Sequence, residues 1–473
     1  MTGAALAAVA GARGVGDRPP DERPFVATAF DGTSLAAAAA LAVLWARGYA
    51  PAPLDVRLGP NELAARLRLV RPRLLLVGPR VDALVRPALA VARLPAVRVV
   101  EVDEDPMGWR ELPPGRESAS TDPGLVVFTS GTSGAPKGVL LSRANLVACA
   151  TEVAAAQRLT AADRALNALS LAHVNAPVVA LLASVLSGGD LVQMRRFDPG
   201  QFWRVAQAQG VTWANLVPPL IATLVRYPQA ADGITPSRLR FVRSASAPLP
   251  VPVLTAFERA FGVAVVESYG ISEAASQVTI NDPPPGVRVP GSVGTPRGVR
   301  LQLVDERGAP VPLGEPGEVL VQGPSVMPGY LDDPAATARA LAGGWLHTGD
   351  VGVLDEAGRL RLVGRRTELI NRGGEKIAPR FVEEALLEHP EIVDAAVVGI
   401  PDPIYGEEIK AFVVLRDGEA LSERELRRIA SACLPLHARP RAWEVVPGIP
   451  RNSAGKVMRR DLAPAVAPTG DAP

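Results

Sequence analysis

Two rhythms of apolar and polar positions alternate along the chain. Ser34 to Arg47 follows a helical spacing, and Asn61 to Arg68 carries a second, shorter helical pattern. Leu74-Leu75-Leu76-Val77 and Val97-Arg98-Val99-Val100 are short aliphatic runs of the kind that form buried strands. Leu125-Val126-Val127-Phe128 is a third such run. It leads into a Ser/Thr/Gly loop, and a helix is predicted from Arg143, giving the strand–loop–helix order of an anion-binding loop. Leu239 to Arg243 and Val263 to Val266 read as strands. Both end in small or polar residues, Ser244-Ala245-Ser246-Ala247 and Glu267-Ser268-Tyr269-Gly270. Strands alternating with helices predict an α/β fold with a mainly parallel sheet, in which ligands gather at strand ends.

The pattern then changes. A proline-rich loop spans Pro283 to Pro290, and from Val293 to Gly364 short alternating segments separated by glycines predict a β-rich subdomain. A boundary is expected near Gly364-Arg365-Arg366-Thr367. Beyond it, Phe381 to His389 is an amphipathic helix, Ala395 to Gly399 and Ala411 to Leu415 are strands, and Ser422 to Cys433 is a helix. The expected organisation is therefore a large α/β core over 1–364, with 293–364 as its β-rich part, and an α+β domain over 367–473. The first 30 residues read as loop, and the Ala/Pro-rich tail after Leu462 as frayed.

Composition narrows the function classes. A chain of 473 residues exceeds one compact core and implies two to four subdomains. A net charge of +1 gives no global attraction to nucleic acid or anionic membrane. The arginines from Arg66 to Arg98 are interleaved with apolar residues and suit solvated helix faces. The longest apolar run, Leu35 to Ala46, is shorter than the roughly 20 residues a bilayer demands. Met1 to Ala12 has no basic residue before its apolar part, so no secretory signal is expected. Cys149 and Cys433 lie far apart with no Cys/His cluster, which disfavours disulfides and zinc and fits a cytoplasmic setting.

Lysine usage is the sharpest chemical signal. Of 50 Lys plus Arg residues only four are lysines: Lys137, Lys376, Lys410 and Lys456. Where charge alone suffices this chain carries arginine, so a lysine marks a position needing a compact ammonium on a thin stem. Lys137 and Lys456 both sit in glycine-containing loops, suited to close approach to phosphate oxygens. The stretch Thr129-Ser130-Gly131-Thr132-Ser133-Gly134-Ala135-Pro136-Lys137-Gly138 is not a Walker A motif, because Pro136 precedes the lysine and no Ser or Thr follows it.

That stretch resembles the signature loop of the AMP-forming adenylate-forming enzymes, which include the acyl-CoA synthetases, peptide-synthetase adenylation domains and luciferases. Further motifs follow in family order. They are Leu171-Ala172-His173-Val174-Asn175, Arg243-Ser244-Ala245-Ser246-Ala247-Pro248-Leu249 and Tyr269-Gly270-Ile271-Ser272-Glu273. After these come Gly317-Glu318-Val319 through Gly329-Tyr330, Trp345 with Thr348-Gly349-Asp350, Gly364-Arg365, and Pro450 to Lys456. The similarity runs from about residue 34 to 462. It implies stacked sheets in the N-terminal core and a mobile C-terminal domain.

The resemblance implies roles for individual residues. Thr129, Ser130, Gly131, Thr132, Ser133, Gly134 and Lys137 would hold the ATP phosphates. Ser246, Ala247, Glu267, Ser268, Tyr269, Gly270, Ser272, Asp350 and Arg365 would hold the remaining nucleotide. Glu273 with Thr129 would serve Mg²⁺, and Glu273, Thr129 and Lys456 would be catalytic. His173, Asn175, Ser244, Ala245 and Ser276 would line the acyl pocket. Thr367 would be the hinge, and Gly373, Gly374 and Lys376 would meet CoA. Taken alone, Glu273 reads equally as a helix N-terminal acid, Tyr269 and His173 as core residues, and Asp350 as a turn aspartate.

The implied activity is an acid–CoA ligase using ATP, Mg²⁺ and CoA, working as monomer or homodimer, with fatty-acid metabolism as one setting. A stand-alone adenylating enzyme loading a carrier protein, or an impaired homologue, are alternatives. The impaired reading arises because the family usually has several tens of residues more before the point matching Phe25. Thr367 replaces the usual Lys or Asp, and Ala245-Ser246 stand where Gly-Ala is typical. The Ser272 to Gly294 segment resembles the oxalate–CoA ligase branch, with Ser276 in place of a histidine. That replacement argues against carrying over oxalate specificity.

Overall fold

Ser34 caps the first described helix: its hydroxyl accepts from the Ala37 N–H at 3.0 Å, and the helix runs Leu35–Ala46. This computed structural model describes residues 24–30, 34–79, 81–94, 96–102, 118–130, 136–234, 237–416, 419–452 and 455–462. Most of the elements expected from the hydrophobic pattern are present. The strands Phe25–Ala29, Ala50–Leu54, Leu74–Val77 and Arg98–Glu101 form a parallel sheet in the order Ala50–Leu54, Phe25–Ala29, Leu74–Val77, Arg98–Glu101. The helices Pro60–Val70 and Asp82–Ala92 supply Leu63, Leu67, Val85 and Ala88 to the core beneath it.

The largest sheet has seven strands. In spatial order they are Thr295–Pro296, Ser276–Ile280, Ala264–Ile271, Phe241–Ser244, Trp213–Leu216, Arg164–Asn167 and Asp190–Gln193. The last five are mutually parallel, and the first two pair antiparallel. The strand from Ala264 does not end where the polar residues begin, as the sequence pattern suggested. It continues through Glu267, Ser268, Tyr269 and Gly270 to Ile271, because Ser276–Ile280 folds back on it and pairs its polar half.

The Ser/Thr/Gly loop also differs from expectation. It joins two antiparallel strands, Pro123–Ser130 and Pro136–Ser142, and only then does the helix Arg143–Ala156 begin, capped by Ser142 and Asn145. Pro136–Ser142 carries no inward–outward alternation in its sequence or its burial that would announce it as a strand. Gly329–Tyr330 completes this sheet by pairing with Val139 and Leu140.

Two further sheets follow. One runs Arg300–Val304, Gly317–Gln322, Leu346–Leu354, Leu360–Arg365. The other has the order Glu375–Ile377, Ile370–Arg372, Gly406–Leu415, Ile392–Asp402, with Ala442–Val445 also pairing Gly406–Leu415. The chain divides into two compact units. The first comprises 1–246, 257–302 and 320–348, and the second 247–256, 303–319 and 349–473. In the second, the helices Pro379–Leu386 and Glu423–Cys433 cover one sheet face with Val382, Leu386, Leu426 and Ile429. Among the described residues no helix is long and apolar enough to cross a membrane.

Candidate active site

In the first unit, the hairpin carrying the Ser/Thr/Gly loop places Thr129 directly opposite Lys137 in the ladder. Tyr330 pairs with Val139 on the far side of the same strand, and the Lys137 ammonium lies 4.9 Å from the centre of its ring. The Tyr330 phenol donates to Glu273 Oε1 at 2.9 Å. Glu273 itself sits in the 3₁₀ turn Ser272–Ala274, and its carbonyl accepts from the Met327 N–H at 2.8 Å. One aromatic side chain thus joins the cation and the carboxylate that the sequence placed in separate motifs. Ser130 ends its strand opposite Pro136. Gly131, Thr132, Ser133 and Gly134 lie outside the described residues.

The turn holding Glu273 is tightly determined. Ala275 and Ser276 adopt positive φ, 54° and 107°, a costly conformation for non-glycine residues that persists only where surrounding structure enforces it. Gly270 is required there, since a Cβ on it would meet the Ser276 carbonyl oxygen at 1.4 Å. Ser272 opens the turn, and Ser276 is buried. On the neighbouring strand Tyr269 and Ser268 are buried, and Ser268 Oγ donates to the Ser244 carbonyl at 3.3 Å. The Glu267 carboxylate turns inward and accepts from the Gly291 N–H at 3.0 Å.

The residues assigned to the acyl pocket fall into two groups. Asn175 opens the π-helical turn Ala176–Leu182, and its Nδ2 donates to Ser246 Oγ at 3.2 Å. Ser244 and Ala245 are buried, whereas Ser246 is exposed with φ 73° and Ala247 follows it, half-buried. His173 instead faces Asp55, with Nε2 3.8 Å from Oδ2. Burial holds its imidazole below the ordinary value; Asp55 opposes that, and Arg57 and Arg66 reinforce it.

In the second unit Asp350 and Arg365 are partners across a strand pair, with Arg365 Nε 3.0 Å from Asp350 Oδ1. Thr367 is exposed in the short turn Arg366–Glu368. Lys456 Nζ lies 3.2 Å from Glu368 Oε1, while Arg459 takes the other oxygen of that carboxylate at 3.3 Å. Lys376 is ion-paired with Glu306. Gly373 and Gly374 turn the chain between two strands at φ 62° and 94°, and the Gly373 N–H donates to the Tyr405 carbonyl at 2.8 Å.

Three residues that build these clusters carry no assigned role in the sequence analysis. Tyr330 was visible only as the end of a Gly-Tyr motif. Glu368, the partner of Lys456, carried no signal. Arg243 opened a quoted motif yet received no role, although a charged residue within the run Leu239 to Arg243 of a buried strand was itself a cue.

The fold and these clusters define a nucleotide-dependent ligase of two unequal units. Residues 7–331 match the AMP-binding enzyme family and 382–456 its C-terminal domain. The chain belongs to the AMP-binding enzyme family. It is 40% identical over 418 residues to a sulfoacetate–CoA ligase of Cupriavidus necator, covering 87% of this chain and 81% of that protein. It is 36% identical over 345 residues to an oxalate–CoA ligase of Arabidopsis thaliana, covering 72% and 67% respectively. The ATP-bound structure of MatB from Rhodopseudomonas palustris superimposes with a TM-score of 0.85 at 28% identity, covering 97% of this chain and 90% of that one.

Proposed function

We propose that this enzyme is an ATP-dependent acid–CoA ligase. A carboxylate oxygen attacks the α-phosphorus of ATP, an acyl–O–P bond forms, and pyrophosphate leaves. The CoA thiolate then attacks the acyl carbon, and AMP departs. The sulfoacetate and oxalate relatives and the family match support both half-reactions.

The observation that carries the reading is Tyr330 joining Lys137 to Glu273. A cation, a carboxylate and the Thr129 hydroxyl then stand on one small sheet and its adjoining turn, which is the donor set a triphosphate with a divalent ion requires. Among the described residues no group of three or more His, Cys, Asp or Glu could hold a metal unaided. A single carboxylate held by Tyr330 fits Mg²⁺ bound through one carboxylate and substrate phosphates, with Glu273 as the proposed protein ligand and Thr129 as the proposed hydroxyl. Bound there, Mg²⁺ would neutralise phosphate charge.

The chain's own residues do the rest. Lys137 attracts the phosphates. Lys456 is the proposed counter-charge for the attacking carboxylate and the α-phosphate, two anions whose repulsion otherwise opposes attack. To serve, it exchanges the Glu368 carboxylate for those anions, with Thr367 absorbing the backbone rotation. Asp350 is the proposed ribose acceptor, steadied by Arg365. Gly373, Gly374 and Lys376 are proposed for CoA.

Pyrophosphate exchange with a panel of acids tests adenylation, and addition of CoA or of carrier proteins tests the acceptor. Exchange followed by CoA thioester is expected. Absence of exchange with every acid overturns the reading, and a thioester formed only on a carrier protein replaces CoA as acceptor.

A further inference from the structure

Parallel register sets a row of polar side chains across the largest sheet. Gln193, Asn167, Asn215 and Arg243 are register partners on four adjacent strands, so all four belong to one face of the sheet. Asn167 Nδ2 donates to Gln193 Oε1 at 3.0 Å, and Asn215 Nδ2 to Asn167 Oδ1 at 3.2 Å. Arg243 Nη1 donates to Asn215 Oδ1 at 3.3 Å and to Asn175 Oδ1 at 3.1 Å. The row lies toward the carboxyl ends of these strands, where parallel sheets bind ligands.

This row ends in a buried charge with no counter-charge among the described residues. Arg243 is 1% exposed, and its partners are neutral amides. Its Nε has no partner among the described residues. Burial lowers its pKa to about 10, which leaves it a cation at neutral pH. The Cys149 thiol that shares its field is pushed up to about 11 and stays neutral. The acid on the adjacent strand, Glu267, is the register partner of Ser244 and so points to the opposite face. Two strands along, Gln277 is 2% exposed with both amide atoms unpartnered. A buried guanidinium without an acid is expensive unless something else compensates it, and its own orphaned Nε marks where a partner is missing.

A chain of hydrogen bonds links Arg243 to the surface. Ser246 is exposed and accepts from Asn175 Nδ2, and Asn175 Oδ1 accepts from Arg243. The unpartnered Nε shares its edge of the guanidinium with Nη2, away from the Nη1 held by Asn175 and Asn215. That two-pronged edge is the one that receives a carboxylate or sulfonate, as Arg57 receives Asp55 through Nε and Nη2.

We infer that the acid activated by this enzyme carries a second anionic group, carboxylate or sulfonate, and that Arg243 is the specificity-determining residue that receives it. The inference rests on the ligase reading above. It deepens that reading by naming the substrate class.

The test measures pyrophosphate exchange and calorimetric binding with malonate, succinate and sulfoacetate, each against a counterpart that keeps the reacting carboxylate and lacks the second anion: monomethyl malonate, monomethyl succinate and methoxyacetate. The expected result is a preference for the doubly charged acid of a hundredfold or more in kcat/KM, with the better of carboxylate and sulfonate identifying the anion. In Arg243→Gln that preference ratio collapses toward one, and Arg243→Lys restores part of it. Asn175→Asp, which keeps the side-chain shape while supplying an internal anion, collapses the ratio as well.

Best turnover of an acid without a second anion overturns the inference and leaves the ligase reading standing. So does a ratio that survives in both Arg243→Gln and Asn175→Asp. Binding of a doubly charged acid with no exchange overturns the ligase reading and keeps the anion site. Neither binding nor exchange with any acid overturns both.

Discussion

The Tyr330 phenol donates to the Glu273 carboxylate at 2.9 Å, and the same ring supports the Lys137 ammonium on its face. The phenol thereby orients the carboxylate. Tyr330→Phe removes the hydrogen bond and keeps the ring. A hydrogen bond to a charged group is worth about 1.5 kcal/mol at the low end, so kcat for pyrophosphate exchange should fall roughly tenfold. Glu273→Gln should lose at least a hundredfold. Equal, small effects of both changes would remove Glu273 from the reacting centre.

Lys456 is held by Glu368 at 3.2 Å. Lys456→Ala should lower adenylation by at least a hundredfold, the scale of a lost charge-stabilising donor. Thioester formation from supplied acyl-adenylate should be spared. Loss of both half-reactions to the same extent, measured side by side, would contradict a role confined to the first.

Gly270 has no room for a methyl group, because its Cβ would sit 1.4 Å from the Ser276 carbonyl oxygen. Gly270→Ala must displace backbone rather than a flexible side chain. Destabilisation of about 3 kcal/mol or more is expected, visible as a lowered midpoint in urea unfolding. A wild-type midpoint would show that the Ser272–Ser276 turn is not as rigid as drawn.

Burial holds His173 below its usual pKa. The unfolded chain, with an ordinary value of about 6.5, therefore takes up its proton first as pH falls. The stabilisation is present above about pH 6.5 and is lost on acidification through the window below it. Between pH 7.5 and 5.5 the wild-type melting temperature should drop more steeply than that of His173→Gln. Parallel slopes would place the imidazole in solvent.

Cys149 is buried, and its thiol is pushed up to about 11. At pH 8 it should resist iodoacetamide in the native chain while denaturation exposes both cysteines to labelling. Peptide mapping of the labelled protein reports this, and rapid native labelling of Cys149 would contradict its burial.

Local pattern made much of this protein legible. The helix Leu35–Ala46 announced itself through Ser34 and its alanine-rich run, and the strand Leu74–Val77 through four aliphatic residues, because those signals act over a few positions. The scarcity of lysine likewise singled out Lys137 and Lys456 from composition alone.

What sequence could not supply was pairing between distant segments. Pro136–Ser142 bears no strand signal of its own, because its strand character depends on the ladder it forms with Pro123–Ser130. Tyr330 met Glu273 across 57 positions of chain, and Arg243 met Asn215 across 28. Such meetings follow from strand order and register, which hydrophobic periodicity does not encode. The chain by itself therefore determined its local elements, its family resemblance and its candidate ammonium groups. Only the tertiary structure decided that Lys137 faces the Tyr330 ring and Lys456 the Glu368 carboxylate, and that the Arg243 guanidinium faces no acid among the described residues.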